Sequence, residues 1–267
     1  MKKYFALILA LLMVLSLAAC GGEKPVDDPA GGDVSYVQDK GTLVVGITDF
    51  APMDYQDGNG EWIGFDADMA KLFAESLGVD AEFVEIANWD LKAVDLETKA
   101  IDVVWNGMTI TEEVTSLMGV GDAYCKNAQV VVVKAGTEAP ADAEAVKACG
   151  LNFAVENGSA GAEALDELGL AYTACDTQAK ALMEVASGSS DACVIDLMMA
   201  GAMIGAGTSY PDLVSAAELT VEEYGVGFRV DSDLVGAFND FWKAAYADGT
   251  VMELATTYGI AQNIIAK

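Results

Sequence analysis

The stretch IDVVWNGMTITEEV, residues 101–114, contains the pattern that decides the fold. It begins with the apolar run IDVVW, which predicts a buried strand, and continues with glycine and two threonines, which predict the end of that strand. The acidic pair Glu112 and Glu113 then favours the first turn of a helix. Backbone amides and hydroxyls are thus placed at a strand end, and no basic residue stands beside them.

The same step from strand to helix recurs on both sides of this stretch. Short β-rich runs alternate with segments whose apolar residues fall at helical spacing, as in GFDADMAKLFAESLGV (64–79). This alternation predicts an α/β protein of two lobes, each a doubly wound and mostly parallel sheet. Because ligands of open α/β sheets bind at the carboxyl ends of strands, the ends at NGMTIT, ENGSAG and VIDLMM are expected to face one crevice between the lobes.

The first 19 residues have the pattern of a secretory signal peptide. Lys2 and Lys3 precede an apolar run that is too short to span a bilayer with ease, and small residues follow it. The stretch LAAC resembles the lipobox of bacterial lipoproteins, in which the cysteine, here Cys20, becomes the lipidated first residue of the mature chain. An ordinary signal peptide with an unrelated cysteine is the alternative. Residues 20–40, rich in glycine, proline and aspartate, are predicted to be a flexible tether to a membrane surface.

The charge and composition exclude several classes of function. The formal net charge is −28, and once Lys2 and Lys3 leave with the signal peptide, 12 basic residues face 42 acidic ones. Nucleic acid and anionic membranes are repelled by such a chain and are not expected as direct partners. The chain has no histidine, which excludes histidine-based nucleophiles and histidine metal sites. No cofactor or metal is expected, and DYQDGNGEW (54–62) fits a hairpin turn better than a calcium loop because it lacks the loop's glycine and final glutamate.

The apolar and sulfur-containing residues add to this description. Four cysteines follow Cys20 and could pair in three ways, but their apolar neighbours favour buried free thiols over disulfides. Trp89 and Trp105 are interpreted as core residues. The part of the chain beyond the tether is long enough for one large or two medium domains.

Six short motifs give the chain a specific resemblance. They are GFDADMA (64–70), AIDVVWNGMTIT (100–111), DAYCKNAQVVVV (122–133), VENGSAGAEAL (155–165), DACVID (191–196) and EYGVGFRVDSDL (223–234). In this order and spacing they resemble the family 3 solute-binding proteins, the polar amino-acid receptors of ABC importers. The resemblance implies a type II periplasmic-binding-protein fold, in which two lobes joined by two crossing strands close on a small molecule. It implies lobe 1 at 41–124 plus 225–267, lobe 2 at 128–222, and hinges at about 124–128 and 222–225.

Candidate site residues follow from the resemblance one at a time. Gly107 and Thr109 match positions that offer a carbonyl, an amide and a hydroxyl to the ligand's amino and carboxylate groups. Ser159 matches a hydroxyl at the start of a helix in lobe 2, where the helix dipole favours a carboxylate. Asp196 matches the aspartate that receives the α-ammonium, and Phe50 lies near the position of an aromatic that packs on the ligand's side chain. Helix capping is the alternative role for Thr109, Ser159 and Asp196.

One departure from the family pattern changes the expected ligand chemistry. Where the family has an arginine that clamps the ligand carboxylate, this chain has Val114, and its only arginine, Arg229, is predicted to lie on a strand outside the cleft. One hypothesis is that the amides of residues 158–161 hold the carboxylate with help from Lys126 near the hinge. The rival hypothesis is a cationic or neutral ligand without an α-carboxylate, whose positive group meets Glu156 or the acidic pair of the opening stretch.

The resemblance implies a binding protein rather than an enzyme. The expected role is a monomeric, lipid-anchored receptor that captures a small polar solute, first of all an amino acid, and delivers it to a membrane permease and its ATPase. Its expected location is the outer face of the cytoplasmic membrane, or the periplasm where an outer membrane is present. The alternatives are a sensory module and a dehydratase-like enzyme on the same fold, with Glu156 or Asp196 as the acid.

Overall fold

The computed structural model describes residues 32–267. The predicted signal peptide, the predicted lipidation site Cys20 and the tether up to residue 31 lie outside the described residues. The prediction of a tether was wrong for residues 32–40, which form a helix that is anchored by long-range contacts. The Arg229 side chain donates to both oxygens of Asp33 at 2.9–3.0 Å, Asp233 accepts from the amide of Val34 at 2.9 Å, and Val37 is fully buried.

Helices and strands alternate along the described residues. The helices are α1 (Gly32–Lys40), α2 (Phe65–Leu77), α3 (Lys92–Glu97), α4 (Glu112–Leu117), α5 (Ala143–Ala148), α6 (Ala160–Glu167), α7 (Gln178–Ser187), α8 (Leu197–Met203), α9 (Leu234–Ala247) and α10 (Thr250–Thr257). The strands are β1 (Thr42–Ile47), β2 (Tyr55–Gln56), β3 (Trp62–Ile63), β4 (Asp80–Glu85), β5 (Val103–Thr109), β6 (Gly119–Val120), β7 (Cys125–Asn127), β8 (Gln129–Lys134), β9 (Phe153–Glu156), β10 (Tyr172–Cys175), β11 (Ala192–Asp196), β12 (Leu213–Glu218) and β13 (Glu222–Phe228). Short 3₁₀ turns cover Trp89–Leu91 and Ala261–Asn263.

The larger strands form two mixed sheets, one in each lobe. Lobe 1 has the order β4-β1-β5-β13-β6, with β7 paired to β13, and lobe 2 has the order β10-β9-β11-β8-β12. In each sheet three neighbouring strands run parallel, and the others join through antiparallel pairs. The prediction of a two-lobed α/β fold is confirmed. The antiparallel pairs arise because β8 and β13 enter their sheets from the other lobe and not through a crossover helix.

The chain passes between the lobes at two adjacent strands. β7 and β13 pair antiparallel, with Asn127 opposite Glu222 and Cys125 opposite Tyr224. The two crossings therefore lie side by side at one edge of the lobe boundary. These strands lie where the sequence predicted the hinges, and rotation of the lobes about them stays a prediction.

An aromatic cluster forms the centre of lobe 1. Trp105 meets Phe238 edge-to-face with ring centroids 5.1 Å apart, and Trp242 lies 5.1 Å from the ring of Tyr124. All four side chains are fully or almost fully buried, so the interpretation of Trp105 as a core residue is confirmed. Lobe 2 is built on the valines of β8, β9 and β11. These cores fix the strands whose carboxyl ends carry the polar residues.

The hairpin prediction for residues 54–62 is confirmed. β2 and β3 pair antiparallel, and the Asp57 carboxylate accepts the amides of Asn59 and Glu61 at 2.8 and 2.9 Å. The cysteines at 125, 149, 175 and 193 are free, as predicted, although 149 and 175 are only partly buried. In the described part of the chain, no helix has both the length and the apolar character needed to cross a bilayer.

Candidate ligand-binding cleft

A cleft between the lobes is bounded by three strand ends. Thr109, Glu156 and Asp196 are the last residues of β5, β9 and β11, and all three line one cavity of about 560 Å³. This volume is typical of small-molecule sites. The carboxyl ends of parallel strands meet at the same edge of a sheet, which is why the strand ends named from the sequence come together here.

Gly107 shapes the lobe 1 wall of the cleft. Its φ of +56° is left-handed, and a Cβ atom there would lie 2.4 Å from Phe50 Cε1. The amide of Gly107 donates to the buried carboxylate of Asp66 at 2.7 Å, and the hydroxyl of Tyr124 donates to the same oxygen at 2.7 Å. The amide that the resemblance offers to the ligand is therefore already used inside lobe 1. Burial raises the pKa of Asp66 to about 7, although both hydrogen bonds oppose the shift.

Asp196 lies at the centre of a buried hydrogen-bond network. One carboxylate oxygen accepts from the side-chain amides of Asn127 and Gln129, the latter at 3.0 Å, and from the Tyr224 hydroxyl at 2.8 Å. The other oxygen accepts from Gln178, whose carbonyl in turn accepts the Asp196 amide at 2.8 Å. Asp196 stands at the N-terminus of α8 but makes no capping bond to it. The carboxyl group is therefore held by this network and does not cap the helix, and its contact with a ligand stays a prediction.

Glu222 shares hydrogen-bond donors with Asp196. Its carboxylate accepts from Asn127 at 2.6 Å, from Gln129 at 2.7 Å and from the hydroxyl of Thr109 at 2.8 Å. Burial, and then the negative charge of Glu222, raise the pKa of Asp196 to about 8. Two carboxyl groups thus accept from the same two amide groups and lie close together, which makes the hinge side of the cleft a favourable place for a positive group.

Glu156 is the second buried carboxyl group of the cleft. It is 3% exposed, and its Oε1 atom has no hydrogen-bond partner. Burial, and then the charge of Asp196, raise the pKa of Glu156 to about 8, while the charge of Lys92 acts in the opposite direction. Buried polar atoms without a partner are uncommon, so this oxygen is available to a donor on a ligand.

Lys92 connects the lobes at the edge of the cleft. Its ammonium donates to the carbonyls of Trp89 in lobe 1 and Gly158 in lobe 2, each at 3.3 Å, and lies 5.0 Å from the centroid of the Trp89 ring. Gly158 has a left-handed φ of +69°, and a Cβ atom there would lie 2.7 Å from the Cα atom of Asp90. The lobes are therefore in contact at this edge. Burial lowers the pKa of Lys92, against the effect of the surrounding acids.

Acidic side chains dominate the lining of the cleft. Seven acids line it, whereas Lys92 is the single basic residue among the described residues that do so. Glu156 and Asp196 lie buried at the floor, and the others are exposed around them. Walls of one sign focus the electrostatic potential, so the cleft attracts cations. The exposed acids are Asp90, Glu113, Glu163, Asp166 and Glu167.

Val114 and Ser159, both named from the resemblance, line the cleft. Among the described residues, neither side chain makes a hydrogen bond to the opposite lobe. Val114, 6% exposed, lies in the first turn of α4, which Thr111 caps by accepting the Val114 amide at 3.2 Å. Ser159 caps α6 by accepting the amide of Ala162 at 3.2 Å, so the capping alternative describes its bond within the chain. That these residues touch the ligand remains a prediction.

Phe50 and Lys126 are not brought to the cleft. Phe50, 2% exposed, lies beneath Gly107 and meets Tyr224 edge-to-face at 6.4 Å, because a tight turn bonds its amide to the carbonyl of Asp54 at 2.7 Å. Lys126 is exposed on β7, where the alternation of the strand turns it away while its two neighbours are buried. Neither residue lines the cleft, whose basic residue among the described residues is Lys92, and a contact of Phe50 or Lys126 with the ligand stays a prediction.

Several cleft residues were missed from the sequence. Lys92 and Gln178 belong to none of the six motifs, and the roles of Gln129 and of Glu222, which bonds to residues that line the cleft, depend on contacts far along the chain. The two-residue spacing of Asn127 and Gln129 was a usable indication, because on an extended chain it points both side chains in one direction. Trp89, interpreted as a core residue, is 7% exposed and also lines the cleft.

The two-lobed α/β fold with a polar cleft at its strand ends is that of the type II periplasmic binding proteins, to which the similar solved structures belong. Residues 43–261 match the model of the bacterial extracellular solute-binding proteins, family 3, and the chain belongs to this family. The chain is 26% identical to the arginine-binding extracellular protein ArtP of Bacillus subtilis, over 95% of this chain and 96% of ArtP. It is 28% identical to the L-cystine-binding protein TcyJ of Escherichia coli, over 92% and 93%. The arginine-bound form of a truncated ArgBP from T. maritima is 32% identical, with a TM-score of 0.71 over 79% of this chain and 99% of that one.

Proposed function

We propose that the protein is the solute receptor of an ABC importer and that it captures a small, positively charged solute, a basic amino acid or a closely related amine. The acidic lining of the cleft is the observation that carries this proposal: seven acids against one lysine. Two relatives, the arginine-binding ArtP and the arginine-bound ArgBP, support the same choice of charge. Binding alone is proposed, with no chemical step.

The network around Asp196 supports a role in binding an ammonium group. Asp196, held by Gln178 and Tyr224, and Glu222, which shares its donors, offer carboxyl groups that are fixed in position and that a bound cation would keep ionised. Such charge-assisted hydrogen bonds are stronger than neutral ones, and fixed partners need no reorganisation when the ligand arrives. Closure of the lobes about β7 and β13 would then surround the ligand.

A thermal-shift screen of the full-length protein tests the choice of charge. A ligand at a hundred times its dissociation constant stabilises by about 2.7 kcal/mol, which is a measurable rise in melting temperature. We expect shifts with arginine, lysine, ornithine or their amines, and no shift with aspartate or glutamate. Raising the ionic strength from 0.05 to 0.5 M should reduce the affinity, since screening weakens the attraction. A shift with an acidic solute alone would contradict the proposal.

The delivery role extends the proposal to a membrane permease and its ATPase, with a lipid on Cys20 holding the receptor at the cell surface. Whole cells that lack the gene should take up less of the labelled ligand, and the wild-type gene should restore uptake. Cys20→Ser, which lacks the thiol that accepts the lipid, should release the receptor from the membrane fraction. Unchanged uptake in the deletion strain would contradict the transport role, whereas an unchanged membrane fraction would contradict only the anchor.

A further inference from the structure

The single lysine of the cleft is already engaged by the protein. Lys92 is 8% exposed, and its ammonium donates to two main-chain carbonyls and lies over the Trp89 ring. To bind a carboxylate it would have to leave these partners or admit the anion among the neighbouring acids. Glu113, Glu156 and Asp90 are the acids whose charges act on Lys92 most strongly. The local charge around Lys92 is therefore unfavourable to an anion.

The donors on the lobe 1 wall are also in use. The Gly107 amide donates to Asp66, and the Thr109 hydroxyl donates to Glu222. Val114, on the same wall, is apolar and has an acidic neighbour in Glu113. An α-carboxylate placed here would meet a methyl surface and negative charge and would lose its water without gaining a partner.

The buried acceptors are, by contrast, in excess. Glu156 has a buried carboxylate oxygen without a partner, and the side-chain amides of Asn127 and Gln129 each donate to both the buried Asp196 and the partly buried Glu222, which uses both of their N–H bonds. Glu156 and Asp196 end neighbouring strands of the lobe 2 sheet, which places two acceptors on one wall of a single cavity. A ligand that carries only donors and positive charge satisfies this arrangement.

We propose that the cleft recognises small organic cations through their ammonium or guanidinium groups alone, and that its preferred ligands are amines that lack the α-carboxylate. This inference rests on the proposed function and narrows its ligand class. It assigns Glu156 and Asp196 to the positive groups of the ligand and assigns Val114 to the exclusion of the carboxylate. Neither role needs an arginine, which accounts for the absence of one in the cleft.

Matched pairs of ligands test the inference, because their members differ only by the α-carboxylate. The pairs are arginine with agmatine, lysine with cadaverine, and ornithine with putrescine, each titrated calorimetrically into the full-length protein after exhaustive dialysis. In each pair that binds, we expect the amine to bind at least tenfold more tightly. An amino acid that binds as tightly as its amine, or within tenfold of it, would overturn the inference and leave the proposed function intact. No binding by any of the six cations would overturn the proposed function itself.

Two substitutions test the roles that the inference assigns to Val114 and Glu156. Val114→Arg supplies the missing guanidinium and should reverse the order within the pairs, whereas Ser116→Arg adds the same charge to an exposed position of α4 outside the cleft and should not. Glu156→Gln should weaken the binding of the amines at least tenfold. Glu112→Gln is its control, since Glu112 does not line the cleft, and it should leave the affinity unchanged. Circular dichroism and the melting temperature show that each variant is folded. If Val114→Arg does not fold, Glu156→Gln alone tests the assigned roles. An unchanged affinity for the amines in that folded variant would overturn the role of Glu156.

Discussion

Binding of a cation in this cleft should depend on pH because the carboxyl groups that would meet it hold protons when the cleft is empty. The pKa of Glu156 and that of Asp196 are both raised to about 8, mainly by burial. A cation favours the ionised carboxylate, so its binding should release protons. Affinity should therefore rise as the pH increases from 6 to 8, a range in which primary amines and guanidinium groups stay protonated.

The size of the effect follows from the raised pKa values. At pH 6, two units below a pKa of about 8, only about one carboxyl in a hundred is ionised. If one proton leaves on binding, the affinity rises by about tenfold for each pH unit below the pKa, which corresponds to about 1.4 kcal/mol. If both Glu156 and Asp196 lose protons, the dependence is steeper. In Glu156→Gln one of the two titrating groups is absent. The factor by which the affinity rises per pH unit should therefore be smaller by up to about tenfold.

The stability of the free protein should show the opposite trend. A carboxyl group whose pKa is raised in the folded state holds a proton that the unfolded chain has already lost above about pH 4.5. The free protein should therefore lose stability as the pH rises from about 5 to 8, while the ligand-induced rise in melting temperature grows. Asp66, whose pKa is raised to about 7, should contribute to the loss of stability in the same direction.

Calorimetry in buffers of different ionisation enthalpy measures the number of protons released, and differential scanning fluorimetry follows the stability. Glu112→Gln removes an acid outside the cleft and should keep the wild-type pH profile. An affinity that is constant between pH 6 and 8 in the wild type, with no proton release, would refute the reasoning. A wild-type profile in Glu156→Gln would remove Glu156 from the ligand contact and leave Asp196 as the titrating group.

Three further substitutions have specific expected outcomes. Asp196→Ala should lower the affinity for an ammonium ligand at least a hundredfold in calorimetry, since the ammonium charge of the ligand would be buried without a partner. Wild-type affinity in this variant would remove Asp196 from the site. Gly107→Ala should cost about 1–3 kcal/mol more in chemical denaturation than Gly136→Ala, because both positions have a left-handed φ but only Gly107 adds a clash with the ring beneath it; equal costs would contradict the clash. Arg229→Met should cost about 3 kcal/mol, because the fully buried Asp102 loses a partner, and should lower the melting temperature by about 6–12 °C. Lys180→Met breaks an exposed ion pair and should leave the melting temperature unchanged; a similar fall in both variants would show that the Arg229 pairs are not special.

Much of the cleft could be predicted because its main parts are local. A strand followed by a polar, glycine-containing turn and a helix is read from a few consecutive residues, and the topology rule for α/β sheets brings such ends together. Thr109, Glu156 and Asp196 were found in this way. The position of Val114 was also local, since it follows directly from the spacing of the stretch at 101–114.

Where the structure departs from what the sequence indicated, the position of the residues depends on distant contacts. Phe50 is drawn under Gly107 by a tight turn and by Tyr224, and Lys126 is turned outward by the register of β7 with β13. Residues 32–40 have the composition of a tether but form a helix because Arg229, nearly two hundred residues away, pairs with Asp33. No local pattern contains this information.

The sequence by itself determined the α/β alternation, the strong acidity, the absence of histidine and the lack of an arginine at position 114, since each of these depends on composition or on short spacing. Only the tertiary structure decided the charge balance of the cleft, because that balance depends on which acids from both lobes face one volume. It also decided that Lys92 is engaged, that Asp196 and Glu222 share their donors, and that one oxygen of Glu156 has no partner. These are properties of burial and of pairing between residues far apart in the chain, and they exist only once the lobes are folded and in contact.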